Sequence, residues 1–310
     1  MEKMLSVVIP SYNEEAMIEK TASVIHTLLA EADIPHELIF VDDGSKDATW
    51  QKIEEAATAV STVRGVHFSR NFGKEAAIVA GLEAAEGACA VVIDCDLQHP
   101  PEKMLEMYAL WEQGYEVVEA VKTDRGKESL LHKAFANTFY GIISAATKIN
   151  MRDASDFKLL DRKAIDALLT IKEKNSFFRA LSSWIGFKVV QITFEVQERT
   201  AGESKWSFRS LVKYAVTNIT SFSDFPMKII TALGLLSFVV SVVMGAIALI
   251  GKFSGRALEG FTTVIILQIL FSSIIMISVG IVGYYLSKIY DEIKGRPKYI
   301  VSETCGKDEE

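Results

Sequence analysis

Apolar positions along the first 120 or so residues fall into two alternating rhythms. Short, nearly unbroken apolar runs at Leu5–Ile9, Leu38–Val41, Val66–Phe68, Ala88–Ile93 and Val117–Val121 have the length of buried strands. Between them, apolar residues recur at helical spacing, as in Ile18, Ala22, Ile25 and Leu29. Further helices are expected over Lys46–Val60, Glu75–Ala85 and from near Glu102 to Gln113. This alternation predicts an α/β fold with a mostly parallel sheet and right-handed crossovers. Pro10 is expected to end the first strand. Asn13 is expected to cap the next helix, with Glu14 and Glu15 at its positive end.

Past Lys122 the pattern changes. The chain to about Asn150 is basic and helical in character, and Val189–Val196 reads as another strand. A polar, Gly-containing loop, Glu198–Trp206, precedes Ser207–Asp224. In that segment Phe208, Leu211, Val212, Ala215 and Ile219 share one side, while Arg209 and Lys213 lie on another. Such a helix suits a membrane surface, or packs on the domain as an ordinary amphipathic helix. Ile229–Gly251 and Gly260–Ser287 then carry no charged residue. Each exceeds the ~20 residues that cross a bilayer as helix, the alternative being two buried core helices. Tyr284 and Tyr285 suit an interfacial belt. Lys213 and Lys228 flank the first run, and Lys288, Lys294, Arg296 and Lys298 follow the second; the loop between carries only Lys252 and Arg256. The positive-inside bias therefore puts the large domain and both termini in the cytosol. Three regions are expected: a catalytic domain over 1–206, a juxtamembrane segment over 207–227, and a two-span hairpin with a short tail over 228–310. The last residues, Lys307–Glu310, read as a solvated end.

Composition narrows the classes. The chain of 310 residues has net charge −7, and its pI near 5.4 argues against a nucleic-acid partner. A mean hydropathy of +0.21 beside 24% charged residues fits a soluble domain joined to an apolar segment. Cys89, Cys95 and Cys305 lack CxxC spacing and read as reduced, cytosolic thiols, with no zinc set. Met1–Leu5 lead directly into a strand, so no signal peptide is expected.

The chemistry gathers at strand carboxyl ends, where open α/β sheets bind ligands. No Gly-x-Gly-x-x-Gly follows the first strand and no Walker loop occurs, which disfavours a dinucleotide site. Asp94 and Asp96, two apart after an apolar strand and ahead of Pro100-Pro101, can share one face. With Gln98 they offer only oxygen, which suits Mg²⁺ or Mn²⁺. The plain alternative is two solvated aspartates capping a helix. His99 reads as a loop neighbour, not a ligand.

Val8-Ile9-Pro10-Ser11-Tyr12-Asn13-Glu14, Val41-Asp42-Asp43-Gly44-Ser45, Arg70-Asn71-Phe72-Gly73-Lys74 and Asp94-Cys95-Asp96-Leu97-Gln98 occur in order. Together they resemble the family 2 glycosyltransferases of the GT-A fold. Ser155-Asp156-Phe157-Lys158, the Arg199…Gly202…Ser204-Lys205-Trp206 motif and the two apolar runs extend the likeness to nearly the whole chain. They resemble the polyprenyl-phosphate glycosyltransferases: bactoprenol glucosyltransferases and, more distantly, dolichol-phosphate mannose synthase.

The resemblance implies an inverting transfer of a hexose or N-acetylhexosamine from a nucleotide sugar, UDP-linked, to a polyprenyl phosphate at a bacterial inner membrane. Pro10, Tyr12, Glu14, Asp42 or Asp43, and Lys74 would hold the nucleotide sugar. Asp94, Asp96 and Gln98 would surround the metal and diphosphate. Asp156 would stand near the reacting centre. Lys122, Arg125, Arg199 and Lys205 would meet the acceptor phosphate. Lys122 stands where relatives often carry Arg, which keeps the charge but not the bidentate fork. A processive polysaccharide synthase is the enzyme alternative, but no Q-x-x-R-W motif is present and only two apolar runs occur. A membrane scaffold without activity is the other, though both aspartates are intact. The sugar, Mg²⁺ against Mn²⁺, and whether copies assemble as a homo-oligomer stay open.

Overall fold

The computed structural model describes residues 3–122, 155–171, 173, 178–194, 225–254 and 260–306. The expectations for Arg125, the Arg199–Trp206 motif, the Ser207–Asp224 helix and Lys307–Glu310 lie outside these residues, as does the side chain of Lys122.

Among the described residues, an eight-stranded sheet runs in the order β7-β5-β6-β4-β1-β2-β3-β8. Its first half follows the expected alternation: β1 (Leu5–Ser11), α1 (Ile18–Glu31), β2 (His36–Asp42), α2 (Thr49–Ala59), β3 (Val63–Phe68), α3 (Lys74–Ala84), β4 (Cys89–Val92), α4 (Lys103–Glu112) and β5 (Val117–Lys122). Then come β6 (Lys158–Asp161), α5 (Arg162–Leu169), α6 (Phe178–Trp184) and β7 (Val189–Phe194). Two long helices follow, α7 (Phe225–Phe253) and α8 (Phe261–Ile293), and last the strand β8 (Val301–Cys305).

The sheet is more mixed than the sequence suggests. β1 pairs parallel with β2 and β4, β2 with β3, and β5 with β7. β6 is antiparallel to both β4 and β5, and β8 is antiparallel to β3. Pro10 does not end β1, which continues to Ser11 with Pro10 opposite Val41. The last backbone bond on the β4 side is Ile93 N–H to Val8 O. By the alternation along a strand, the missing N–H of Pro10 falls on that same side, beyond the ladder, where it breaks nothing. Asn13 does not cap α1, which begins only at Ile18 without a side-chain cap. Asn13 takes the left-handed conformation, φ 55°, and accepts the Lys46 N–H at 2.9 Å.

Alternation along the strands builds two apolar layers. Leu5, Val7 and Ile9 of β1, with Leu38 and Phe40 of β2, join Ile18, Ile25 and Leu29 of α1 and Met104 and Met107 of α4 in one buried cluster. Val8 and Val41 face α3 on the other side, where every residue from Ala76 to Leu82 is buried. Gly81 makes this approach possible: a Cβ there would lie 2.2 Å from Val8 Cγ1. Overpacking at such a point costs about 1–3 kcal/mol. The fit holds α3 against β1 and β2 and so fixes its first residue, Lys74, at the carboxyl edge of the sheet.

A buried ion pair ties the second half together. Lys158 of β6, almost wholly buried, reaches Glu119 of β5 and Ser182 of α6, each at 2.8 Å. Burial pulls the Lys158 ammonium below its ordinary range, and Glu119 partly offsets this.

By compactness the described residues form two units, one holding β1 to β8 with α1 to α6 and the other holding α7 and α8. The carboxyl end is therefore part of the α/β unit, through β8, and not an appendage of the hairpin. In the second unit, Met227–Ile247 and Val264–Ile293 are long and apolar enough to cross a membrane, and none of their most apolar stretch is buried. That burial is unlike a soluble protein's core helices.

Candidate functional site

One cavity of about 330 Å³ opens at the carboxyl ends of β1 to β4, lined from all four strand ends. β1 supplies Pro10, Ser11 and Tyr12, and Glu14 follows them. Asp43 comes from the end of β2. Asn71, Gly73, Lys74 and Ala77 come from the turn into α3. Asp94, Cys95 and Asp96 follow β4. Parallel strands deliver their carboxyl ends to one rim, so residues far apart in sequence meet there.

The rim is fastened by its own polar side chains. Asn13 N–H donates to Ser45 Oγ, and Glu14 N–H to Thr49 Oγ1, each at 2.9 Å. These bonds lace the loop after β1 to the loop after β2. Asp43 accepts the N–H of Phe72 at 2.6 Å and of Gly73 at 2.9 Å, which pins the turn into α3. Burial raises the Asp43 carboxyl above its ordinary value, and those two N–H groups oppose the rise. Gly44, at φ +66°, is needed here, because a Cβ would lie 2.4 Å from the Arg70 carbonyl carbon.

Asp42 is placed differently from its neighbour. It is fully buried, accepts the Ser45 N–H at 3.1 Å, and lies 2.8 Å from His67 Nδ1. Of the two aspartates offered for the pocket, Asp43 lines the cavity, and Asp42 is bound to Ser45 and His67. Tyr12 lines the cavity and is 41% exposed.

Asp94 and Asp96 both line the cavity. Asp96 Oδ1 accepts the Gln98 N–H at 3.0 Å in a turn that puts Leu97 at φ 53°. Gln98 thus reaches Asp96 through its backbone and is not among the lining residues. His99 stacks on Phe157, centroids 5.1 Å apart, and its Nδ1 lies 4.0 Å from Asp94 Oδ2. Among the described residues no group of three or more His, Cys, Asp or Glu side chains has metal-binding geometry. Two carboxylates at an open cavity nevertheless fit a hard divalent ion of the kind that draws its remaining ligands from water and a bound anion.

Lys74 links the rim to a buried charge cluster. Its Nζ lies 2.6 Å from Asp94 Oδ1 and 2.9 Å from Asp156 Oδ2. Arg179 of α6 grips Asp156 with two bonds, Nε to Oδ1 at 2.6 Å and a guanidinium nitrogen to Oδ2 at 2.8 Å. Burial disfavours the Asp156 carboxylate, but Arg179 and Lys74 outweigh it and hold the group well below the usual range. Asp156 therefore stays ionised, with both oxygens engaged, and meets the cavity through Lys74. Glu75 beside it behaves oppositely: burial, and then the Asp156 charge, raise its carboxyl to about 7. It accepts the Phe178 N–H at 2.8 Å.

Arg179 and Glu75 are absent from the sequence-based set. Glu75 looks like a surface residue in a first helical turn, and Arg179 has no motif around it. Asn71 and Gly73 lay within the Arg70–Lys74 stretch but had no role until Asp43 was seen to hold that turn.

Residues 6–169 match the family described as glycosyl transferase family 2. An uncharacterized glycosyltransferase of Bacillus subtilis (strain 168), YkcC, is 41% identical over 97% of this chain and 94% of its own. The SfII prophage-derived bactoprenol glucosyl transferase of Shigella flexneri is 32% identical over 97% of this chain and 98% of its own. Among solved structures, glucosyl-3-phosphoglycerate synthase from Mycobacterium tuberculosis in complex with Mn²⁺ and UDP-glucose superposes with a TM-score of 0.49. That match covers 71% of this chain and 79% of the synthase, at 20% identity. With its mixed α/β sheet of the GT-A kind and a cavity built from four strand ends, the chain belongs to glycosyl transferase family 2.

Proposed function

We propose that the chain transfers a hexose or N-acetylhexosamine from a UDP-sugar to a polyprenyl phosphate, undecaprenyl phosphate in a bacterium, at the cytosolic face of the membrane. The observation that carries this reading is one chain joining a cavity rimmed by Asp43, Asp94 and Asp96 to two unburied apolar helices. The near-full-length likeness to a protein named bactoprenol glucosyl transferase supports a lipid acceptor.

In this reading Tyr12 presents its ring to the base, Asp43 keeps the Phe72–Gly73 turn in place, and Asp94 and Asp96 face the diphosphate. The two carboxylates would hold Mg²⁺ or Mn²⁺, which when bound neutralises charge on the leaving diphosphate. Lys74 supplies a second, protein-borne positive charge at the same edge. No general base is required, because a phosphate monoester is already anionic at neutral pH; the ionised Asp156 positions Lys74 and Arg179 and does not take up a proton. Catalysis then rests on holding acceptor oxygen and sugar C1 in line. Direct displacement inverts C1, giving a β-linked product from an α-linked donor. Lys122, Arg125, Arg199 and Lys205 are proposed to bind the acceptor phosphate.

β8 supports the topology. It pairs with β3, so residues before α7 and residues after α8 belong to one folded unit. Two crossings meet that requirement, and a single crossing does not. The test is full-length protein in nanodiscs, offered a panel of nucleotide sugars with and without undecaprenyl phosphate. Donor consumption that ignores the lipid phosphate would refute the acceptor assignment.

A further inference from the structure

Two contact routes run from the carboxyl-terminal segment to the acidic pair at the end of β2. In the first, the Tyr299 ring stacks on Phe68, centroids 4.8 Å apart and planes at 14°. Phe68 meets the Phe72 ring edge-on at 5.8 Å, and the Phe72 N–H donates to Asp43. In the second, Glu303 accepts the Trp50 indole N–H at 3.1 Å, and Trp50 stacks on His67 at 4.9 Å. His67 in turn meets Asp42. The backbone adds Ser69 N–H to Ile300 O at 3.0 Å, and the Tyr299 hydroxyl donates to Glu83 of α3.

Covering the edge of β3 does not require these side-chain contacts, because backbone pairing alone does that. Four of the five residues of β8 are exposed, so the strand itself buries little apolar surface. The contacts of Tyr299 and Ile300, just ahead of the strand, lie where β3 hands over to the Arg70–Lys74 turn, which lines the cavity through Asn71, Gly73 and Lys74.

We propose that Lys298–Cys305 is a positioning strap for the donor pocket: Tyr299 and Glu303 hold the Arg70–Lys74 turn and the Asp42–Asp43 pair in their nucleotide-binding arrangement. This rests on the nucleotide-sugar reading of the cavity. Since the strap directly follows α8 in the chain, the segment leaving the apolar hairpin is the one that sets the donor pocket.

The test compares full-length Tyr299→Ala, Tyr299→Phe and Glu303→Ala with wild type in nanodiscs. UDP affinity is read by calorimetry, KM for UDP-glucose and for undecaprenyl phosphate by product formation, and exchange of the Phe72 and Gly73 amides by mass spectrometry. Losing an aromatic pair should weaken UDP binding and raise the UDP-glucose KM about three- to tenfold in Tyr299→Ala. Acceptor KM should hold, the two amides should exchange faster, and Tyr299→Phe should restore the donor values. A lowered Tm with unchanged donor KM and unchanged amide exchange would overturn the strap. If wild-type protein binds neither UDP nor UDP-glucose, the nucleotide reading fails instead, and amide exchange still decides whether the strap holds the turn.

Discussion

Lys74 Nζ lies 2.6 Å from Asp94 Oδ1, so in the proposed reaction the ammonium and a divalent ion would share one carboxylate of the cavity. Asp156 holds the other side of that ammonium at 2.9 Å. Burial works against the charge on Lys74, but the two aspartates raise its pKa well above the lysine range. It therefore stays charged at any working pH. Lys74→Met should lower kcat by about 10- to 100-fold, as expected for loss of one preorganised charge, while the divalent-ion requirement persists. Steady-state kinetics across a metal titration checks both parts.

Asp96→Asn keeps the shape of the side chain and removes its charge. Turnover should fall by roughly 10²-fold or more, with the protein still folded by circular dichroism. Near-wild-type turnover in the presence of excess chelator would remove Asp96 from the metal site.

Much of this site was legible in the sequence because strand ends are punctuated. Asp94 and Asp96 follow an apolar run and precede two prolines, and Asp43 precedes a glycine, so their meeting at one rim follows from a parallel sheet. Asp42 and Asp43 could not be separated that way: which one faces the cavity depends on His67 and Ser45, contacts that no local pattern announces. β6 was missed because Lys158 opens it, and a buried lysine reads as polar until Glu119 appears on the neighbouring strand. β8 was missed because its residues are mostly exposed and its partner β3 lies more than two hundred residues earlier. Arg179 went unseen because only the folded chain brings α6 to Asp156.

Glu75 predicts a pH signature in stability. Its folded pKa, about 7, lies above the ordinary glutamate value, so the folded state binds more protons between the two. That contribution must weaken stability as pH rises from the ordinary carboxylate range to about 7, and level off above it. Glu75→Gln still accepts the Phe178 N–H but does not titrate. Its Tm relative to wild type should climb over that window and then stay constant. A pH-independent difference would contradict the assignment.

Asp156 predicts the opposite sense. With its folded pKa held below the ordinary value by Arg179 and Lys74, its contribution is complete above the unfolded pKa and is lost as pH falls below the usual carboxylate range. Asp156→Asn should therefore be less stable than wild type at neutral pH, with the gap closing in acid. In the same variant the pH dependence of kcat from neutral to mildly alkaline pH should keep its shape, because Asp156 gives up no proton there. A rise of kcat with pH that wild type shows and Asp156→Asn lacks would make it a base after all.

Topology is checked by reporter fusions after Gly255 and after Glu310, which should report opposite sides of the membrane. Matching sides would refute two crossings.

The central claim is that the acceptor is a lipid phosphate needing no base. The most direct measurement offers the purified chain UDP-sugar with undecaprenyl phosphate, undecaprenol or a soluble sugar, and weighs the products by mass spectrometry. One sugar added to undecaprenyl phosphate alone is the predicted result. Equal transfer to undecaprenol or to a sugar hydroxyl, or growth of a polymer, would contradict it.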